Sequence, residues 1–260
     1  MQMEYVAELV SRTNLCAGND LLTFACKEIA DQATPGQFVN VSCNQFLKRP
    51  FGVCTTDRKA KTFTIGVREI GAGSNDIRSA PIGTAFSILG PLGRGFSFEG
   101  VQKIITVGGG TGIYPLLFVL EKAKLLGIPT ICINGFRSKQ DSFLWSECEQ
   151  LSKLALFSSD AGDFGLKGTV MDSLALLTEN DWQNAAVFTV GPEIMMKKVS
   201  NWAEERHLSC QLSMEKRMAC GIGICLVCTC KVKAEGEGSP FHHVRCCKEG
   251  PVMNASEVVW

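Results

Sequence analysis

The 260-residue sequence lacks any long hydrophobic run, holds only three histidines and carries no net charge, with 26 basic side chains set against 26 acidic ones. The longest clearly apolar stretch, near Gly112 to Leu120, falls far short of the roughly 18 residues that span a bilayer. Met1 to Val10 include Glu4 and Glu8 and no apolar leader segment, so the expectation is a cytoplasmic protein without a membrane role. Balanced charge argues against a general polyanion binder, and no nucleic-acid partner is expected. His207, His242 and His243 leave histidine catalysis little to draw on and read as structural or solvated. No spacing offers a Ser–His–Asp triad or a paired-carboxylate site, and neither internal repeats nor low-complexity tracts occur. A 45% hydrophobic and 20% charged composition lies near the globular norm, which excludes disorder, collagen and coiled coil. The length fits one large domain or two ordinary ones.

Cysteine is what the sequence has in excess. Its 13 residues are odd in number, and at 13 of 260 they stay below the roughly 8–10% of a disulfide scaffold. Cys16, Cys26, Cys43, Cys54, Cys132, Cys148 and Cys210 are scattered singly and read as small buried hydrophobes in a reducing compartment. The remaining six, Cys220, Cys225, Cys228, Cys230, Cys246 and Cys247, fall within 28 residues. Cys220, Cys225 and Cys228 follow C-x4-C-x2-C, the plant-type [2Fe–2S] spacing, which needs one more distant cysteine. Cys246 or Cys247 supplies it. Gly221 and Gly223 permit the tight turn such a loop requires. If Thr229 and Cys230 open a strand, Cys230 points away from Cys228 and is no ligand. A zinc ribbon is the competing metal reading, although it would want a second C-x2-C knuckle where the sequence has an adjacent pair. Structural thiols are the third.

Three regions follow one another along the chain. Residues 1–99 carry short strands at Tyr5–Val10, Leu21–Phe24, Gln37–Val41, Thr62–Ile65 and Ala85–Leu89, separated by Gly and Pro, which suggests a small antiparallel barrel. Residues 100–210 alternate apolar strands at Lys103–Val107, Thr130–Ile133, Leu154–Phe157 and Ala186–Val190 with helical stretches at Ile113–Leu126, Phe143–Leu151, Thr169–Leu177 and Glu193–Arg206, the pattern of an open parallel α/β sheet. Residues 211–260 hold the cysteine cluster and a polar stretch, Ala234 to Pro240, expected to be a surface loop. That segment is too small for a large core of its own, so a metal centre would supply much of its order.

Two further motifs carry binding chemistry. Gly108 to Gly112, between a strand and a helix, offers backbone N–H groups and a helix N-terminus to a pyrophosphate, with Gly110, Thr111 and Gly112 as candidates. It departs from G-x-G-x-x-G by placing Pro115 at the third glycine, and a merely structural turn is the alternative. Arg49, in Arg49-Pro50-Phe51-Gly52 after a strand, could clamp phosphate oxygens with its planar fork or be an ordinary surface arginine. Gly73 and Ser74 add backbone donors and a hydroxyl. Gly90 to Gly95 marks the barrel exit. Thr189 to Glu193 ends the last α/β strand, at the carboxyl edge where such sheets form their ligand crevice, and Gly191 would let a flat ring approach the backbone.

The string Ser213 to Cys228, with the order barrel, α/β half and cysteine module, closely resembles the electron-transfer subunits of NAD-dependent class 1B dihydroorotate dehydrogenases. The resemblance runs from Arg49-Pro50 through Gly90-Pro91-Leu92-Gly93 and Gly108–Gly112 to Cys247-Lys248-Glu249-Gly250-Pro251. It implies that Cys247, directly before the charged pair and Gly-Pro, is the fourth cluster ligand. It implies FAD on the barrel, with Arg49, Pro50, Phe51 and Gly52 at the isoalloxazine and phosphate edge, Gly66, Val67 and Arg68 along the dinucleotide, and Gly73 and Ser74 at the pyrophosphate. The family usually has a hydroxyl residue where Gly52 stands. Its Cys-Gly-Pro reads Val190-Gly191-Pro192 here, and its acidic pair before glycine reads Asp160-Ala161.

The implied chemistry is hydride transfer from NADH to FAD, conversion of the electron pair into single electrons, and exit through a [2Fe–2S] cluster to the FMN of a separate catalytic subunit in pyrimidine synthesis. The implied assembly is a heterotetramer of two of each. A related NAD(P)H:ferredoxin or hydrogenase-linked flavin subunit is the nearest rival, and a non-catalytic zinc-binding scaffold the rival from another class. Arg137 and Lys139 stand where a 2′-phosphate could be held, though family likeness favours NADH.

Overall fold

The computed structural model describes residues 4–234 and 239–260. Six strands close an antiparallel barrel in the order β1-β2-β5-β4-β3-β6. These are β1 (Glu4–Cys16), β2 (Asn19–Ala25), β3 (Phe38–Val41), β4 (Arg49–Asp57), β5 (Thr62–Arg68) and β6 (Ala85–Leu92). Alternation fills the interior: Leu9, Leu22, Phe24, Val39, Val41, Val53, Phe63, Ile65, Val67 and Ile88 are buried together, with Phe24 stacked on Phe63 at 5.4 Å between ring centroids. Two short helices, α1 (Lys27–Gln32) and α2 (Ala72–Ser79), interrupt the strands.

Arg49 to Gly52 come after β3, as expected, but the sequence pattern misses that they open a strand of their own, β4. The segment begins Arg-Pro and includes Gly52, so it shows no apolar alternation. Pro50 is tolerated because Arg49–Gly52 pair only with β3, while β5 joins β4 from Val53 onward. Gly73 and Ser74 lie in the first turn of α2, with Gly71 as its N-cap.

From residue 104 the chain builds a seven-stranded sheet in the order β10-β9-β8-β7-β11-β12-β15. Its strands are β7 (Ile104–Gly109), β8 (Thr130–Phe136), β9 (Leu154–Ser159), β10 (Leu166–Lys167), β11 (Ala186–Val190), β12 (Cys210–Ser213) and, returning from the C-terminus, β15 (Val252–Asn254). The first six run parallel, and β15 pairs antiparallel with β12. Helices α3 (Ile113–Leu125), α4 (Trp145–Leu151), α5 (Val170–Leu174), α6 (Glu179–Trp182) and α7 (Glu193–Glu204) connect them. Among the described residues no helix is long and apolar enough to cross a membrane.

Between β12 and β15 lies a two-stranded hairpin, β13 (Thr229–Lys233) and β14 (Phe241–Arg245). The expected boundary between residues 210 and 211 falls inside β12, directly after its first residue. The module has no separate core: Leu212, Met214, Cys228, Cys230, Cys246 and Cys247 pack with Phe38 and Leu92 of the barrel and Met196 of α7. Part of the expected loop at Ala234–Pro240 lies outside the described residues.

Candidate functional site

One cavity of about 510 Å³ opens where the barrel, the sheet and the cysteine segment meet. The barrel contributes Arg49, Pro50, Phe51, Gly52, Gly66 and Arg68, and the start of α2 adds Gly73 and Ser74. Thr111, Tyr114, Pro115 and Val190 come from the sheet half, and Ser213, Met214, Glu215, Lys216 and Met218 lead directly toward Cys220. Nine of the thirteen cofactor-binding candidates therefore share one wall.

Strand alternation decides which of them face it. On β5, Gly66 and Arg68 turn outward, whereas Val67 is fully buried in the barrel core and offers a ligand only its backbone. Gly66 must be glycine, because any Cβ there would enter the Tyr114 ring. Tyr114 is itself fixed by stacking on Phe143 at 5.1 Å and by its hydroxyl, which donates to Asn19 Oδ1 at 3.3 Å. Burial pushes that hydroxyl's pKa well up, so it stays protonated. Pattern reading missed Tyr114; the signal was its place directly after the glycine loop, in the first turn of α3.

Arg49 donates through Nη1 to Leu47 O at 2.6 Å, and its Nε lies over Gly73, where a Cβ would displace it. The Ser74 hydroxyl is taken up locally. It accepts from the backbone N–H groups of Ile70 and Gly71 at 3.0 and 3.1 Å and donates to Gly71 O at 2.9 Å, capping α2. The expected phosphate-facing hydroxyl is thus spent on the cap, and the unpaired N–H groups of the first helical turn remain as the donors.

Gly110, Gly112 and Gly191 lie outside the cavity wall and build the crevice behind it. Gly110 has φ +53° and starts the single 3₁₀ turn before α3. Gly112 packs against the Val190 carbonyl so closely that a Cβ would collide with it. Gly191, at φ +155°, approaches the Gly109 backbone. The carboxyl ends of β7 and β11 therefore meet backbone to backbone, at the edge where open α/β sheets bind their ligands.

The cysteine loop is arranged by the hairpin register. Thr229 pairs with Arg245, which sets Cys228 beside the Cys246–Cys247 turn. The Cys246 N–H donates to Cys228 O at 3.0 Å and the Cys247 N–H to Cys228 Sγ at 3.4 Å. Cys246 itself turns inward, its thiol donating to Met214 O at 3.2 Å, and burial pushes that thiol's pKa well up. Cys230 likewise faces away, against Val244 O and Met253.

At the other end of the loop, Ile224 and Cys225 N–H groups both donate to Cys220 Sγ at 3.4 Å. Burial would raise this thiol, but bonds from the Cys225, Ile222 and Ile224 N–H groups outweigh it and bring Cys220 down to about 6. Burial and the neighbouring Cys228 push Cys247 up to about 12, so a metal taking that sulfur displaces its proton. Gly221 at φ +70° and Gly223 at φ +85° make the turn. Arg245 braces it by donating to Gly223 O at 2.9 Å and, through Nε, to Glu249 at 3.0 Å; this brace was not read from sequence.

The donor set fits a two-iron cluster. The Cys220 and Cys225 side chains interact as one pair and Cys228 and Cys247 as another, with backbone N–H groups already directed at the sulfurs, and these four thiols would supply the thiolates such a cluster needs. Among the described residues no group of three or more His, Cys, Asp and Glu side chains forms a compact metal cage.

A closed barrel fused to an open sheet, with a cavity across their joint, is the architecture of the ferredoxin reductase-like oxidoreductases, here extended by an iron–sulfur segment. A solved NADH-dependent reduced ferredoxin-NADP oxidoreductase, studied for flavin-based electron bifurcation, superposes with a TM-score of 0.87 at 25% identity, over 98% of this chain and 90% of that one. The ferredoxin reductase of carbazole 1,9a-dioxygenase shares the fold at a TM-score of 0.67 and 15% identity, over 80% of this chain and 67% of that one. Residues 215–259 match the family model described as the iron-sulfur cluster binding domain of dihydroorotate dehydrogenase B, which sets aside the zinc reading.

Whole-chain relatives narrow the class. The electron transfer subunit of dihydroorotate dehydrogenase B (NAD(+)) from Caldanaerobacter subterraneus subsp. tengcongensis is 32% identical over 100% of both chains. Its counterpart from Clostridium perfringens is 37% identical over 86% of both. The chain belongs to the family of dihydroorotate dehydrogenase B electron transfer subunits.

Proposed function

We propose that this chain takes hydride from NADH and hands the electrons singly to a separate FMN-containing catalytic subunit that interconverts dihydroorotate and orotate in pyrimidine biosynthesis. When bound, FAD accepts two electrons together and releases them one at a time, which a [2Fe–2S] cluster requires because it carries only one. The observation that carries the reading is the shared wall: the cavity that would receive the flavin is bounded by Ser213, Met214, Glu215, Lys216 and Met218, and Met218 stands two residues before Cys220.

Residues 1–99 hold FAD, residues 100–210 receive NAD(H), and residues 211–260 hold the cluster. Arg49 and the N–H groups at the start of α2 bind the pyrophosphate, Arg49 by its fork and α2 by its positive end. Gly66 and Tyr114 shape the slot for the flavin's body, with Pro50, Phe51 and Arg68 along it. Gly52 and Pro115 face each other across van der Waals distance, a Cβ on Gly52 lying 3.5 Å from Pro115, so backbone and water serve there instead of a side-chain hydroxyl. Gly110, Thr111 and Gly112 present N–H groups to the nicotinamide dinucleotide, and Gly191 lets its ring approach. Cys220, Cys225, Cys228 and Cys247 ligate the cluster.

The partner is the dihydroorotate dehydrogenase catalytic subunit, in a heterotetramer of two of each, in the cytoplasm. A second reading has one observation behind it: the TM-score of 0.87 to the ferredoxin-NADP oxidoreductase chain favours a subunit feeding a ferredoxin-linked partner instead. Co-purification decides. An FMN protein with dihydroorotate-oxidising activity that comes down with this chain supports the first reading; a partner lacking both supports the second.

A further inference from the structure

We infer that Glu215 is the proton acceptor of the flavin cavity, taking up the proton that remains when the electrons pass to the cluster. The inference rests on the hydride reading above, and that reading carries a proton balance. NADH gives up two electrons and one proton together as hydride, whereas a [2Fe–2S] cluster carries electrons alone, so each NADH oxidised leaves one proton in the cavity. The Glu215 carboxylate forms an O–H bond with that proton as a flavin N–H bond breaks, its electron pair staying on nitrogen and two electrons leaving singly for the cluster. Glu215 then releases the proton to water.

The cavity offers this role to one side chain. The titratable residues lining it are Arg49, Arg68, Tyr114, Glu215 and Lys216, and neither a histidine nor a cysteine reaches the wall. The two arginines stay charged and have no lone pair to offer. The Tyr114 hydroxyl is held protonated and donates to Asn19 Oδ1 at 3.3 Å. Lys216 turns toward α7, its Nζ paired with Glu193 Oε2 at 3.2 Å, and an ammonium accepts nothing. Glu215 is therefore the one carboxylate of the wall. It follows β12 at the carboxyl edge of the sheet, between Met214 and Met218, which pack with the core around the cluster cysteines. No cation of the wall holds it ionised: loss of surrounding water raises its carboxyl above the ordinary 4.5 and brings it nearer the range of a working base. The residue stays exposed, which gives the proton a way out to solvent.

The test uses the whole FAD- and iron-loaded protein, bleached by NADH without oxygen and then mixed with excess ferricenium, a one-electron acceptor, over a series of pH values. In wild type the rate of flavin reoxidation should rise as pH climbs from about 4.5 through the raised carboxyl value, because only the ionised carboxylate accepts a proton. Glu215→Gln should keep its flavin and iron per chain, lose this rise and reoxidise about a hundredfold more slowly. Bleaching by NADH, which moves hydride and needs no proton acceptor, should keep its rate in that variant, whereas a structural defect would slow both steps. Glu215→Asp should restore the rise with pH. A cofactor-replete Glu215→Gln with the wild-type rate and pH profile overturns the inference, and if that variant does not assemble, a wild-type rate that is flat with pH overturns it alone. Flavin that NADH does not bleach at all defeats the hydride reading itself, a result distinct from a bleached flavin whose reoxidation ignores pH.

Discussion

Two adjacent cysteines with opposite surroundings offer a sharp perturbation, since serine at either position makes the same chemical change. Cys247 sits where the hairpin turn meets Cys228, its N–H on the Cys228 sulfur at 3.4 Å. Cys246 is fully buried on the other side, bonded to Met214 O at 3.2 Å. Serine at 246 can still donate to that carbonyl, so the cost is that of a slightly misfit polar group, on the order of 1 kcal/mol, or a fall of about 2–4 °C in Tm. Serine at 247 removes one of the four proposed cluster ligands, and with it the binding energy a cluster would add to the loop. Iron per chain, measured alongside thermal melting, should stay near about two in Cys246→Ser and collapse in Cys247→Ser. Equal iron loss in both variants, or greater loss in Cys246→Ser, would refute the ligand assignment.

Other perturbations test the remaining parts. Gly73→Ala places a Cβ against Arg49 Nε, the movable end of a long side chain, so the melting temperature should hold while FAD affinity drops about tenfold, roughly 1.4 kcal/mol, by fluorescence titration. Gly52→Ser should fold normally, because the Cβ meets Pro115 only at 3.5 Å; a loss of several degrees in Tm would mean that this joint is tighter than described. Glu121, on α3 against β4, has its carboxyl raised above 4.5 by burial despite a bond from Thr55. The folded state therefore holds this proton longer than the unfolded one, and stability is lost as pH climbs from about 4.5 through the raised value. Glu121→Gln should melt higher than wild type at neutral pH and show a flatter pH profile over that range; a lower melting temperature at neutral pH contradicts this.

Much of this was legible in the sequence, for identifiable reasons. The cluster loop was read from C-x4-C-x2-C because thiolate spacing is local, and the sheet from apolar strands alternating with helical spacing. The exclusion of Cys230 followed from alternation along β13, since Thr229–Lys233 do form a strand and turn its thiol toward Met253. What stayed hidden depends on contacts between distant segments. The Arg49–Gly52 segment reads as a loop because its strand character comes from pairing with β3, not from its own pattern. Ser74 reads as a phosphate donor because nothing nearby in sequence announces that its hydroxyl caps a helix. Val67 stands in a motif whose neighbours face the cavity, yet period two turns it into the core. Tyr114 and Arg245 act on residues 48 and 22 positions away, Gly66 and Gly223 respectively, beyond the reach of any local pattern.

The proposed function has electrons pass from NADH through a flavin to a [2Fe–2S] cluster within this one chain. An anaerobic NADH titration of the purified, cofactor-replete protein, followed at once by visible absorption and low-temperature EPR, tests it directly. Two electrons for the flavin and one for the cluster predict full reduction at about 1.5 NADH per chain, with flavin bleaching accompanied by the EPR signal of a reduced [2Fe–2S] centre. Flavin that bleaches while the cluster stays oxidised, or a preparation that takes up NADH electrons with no iron signal at all, would contradict it.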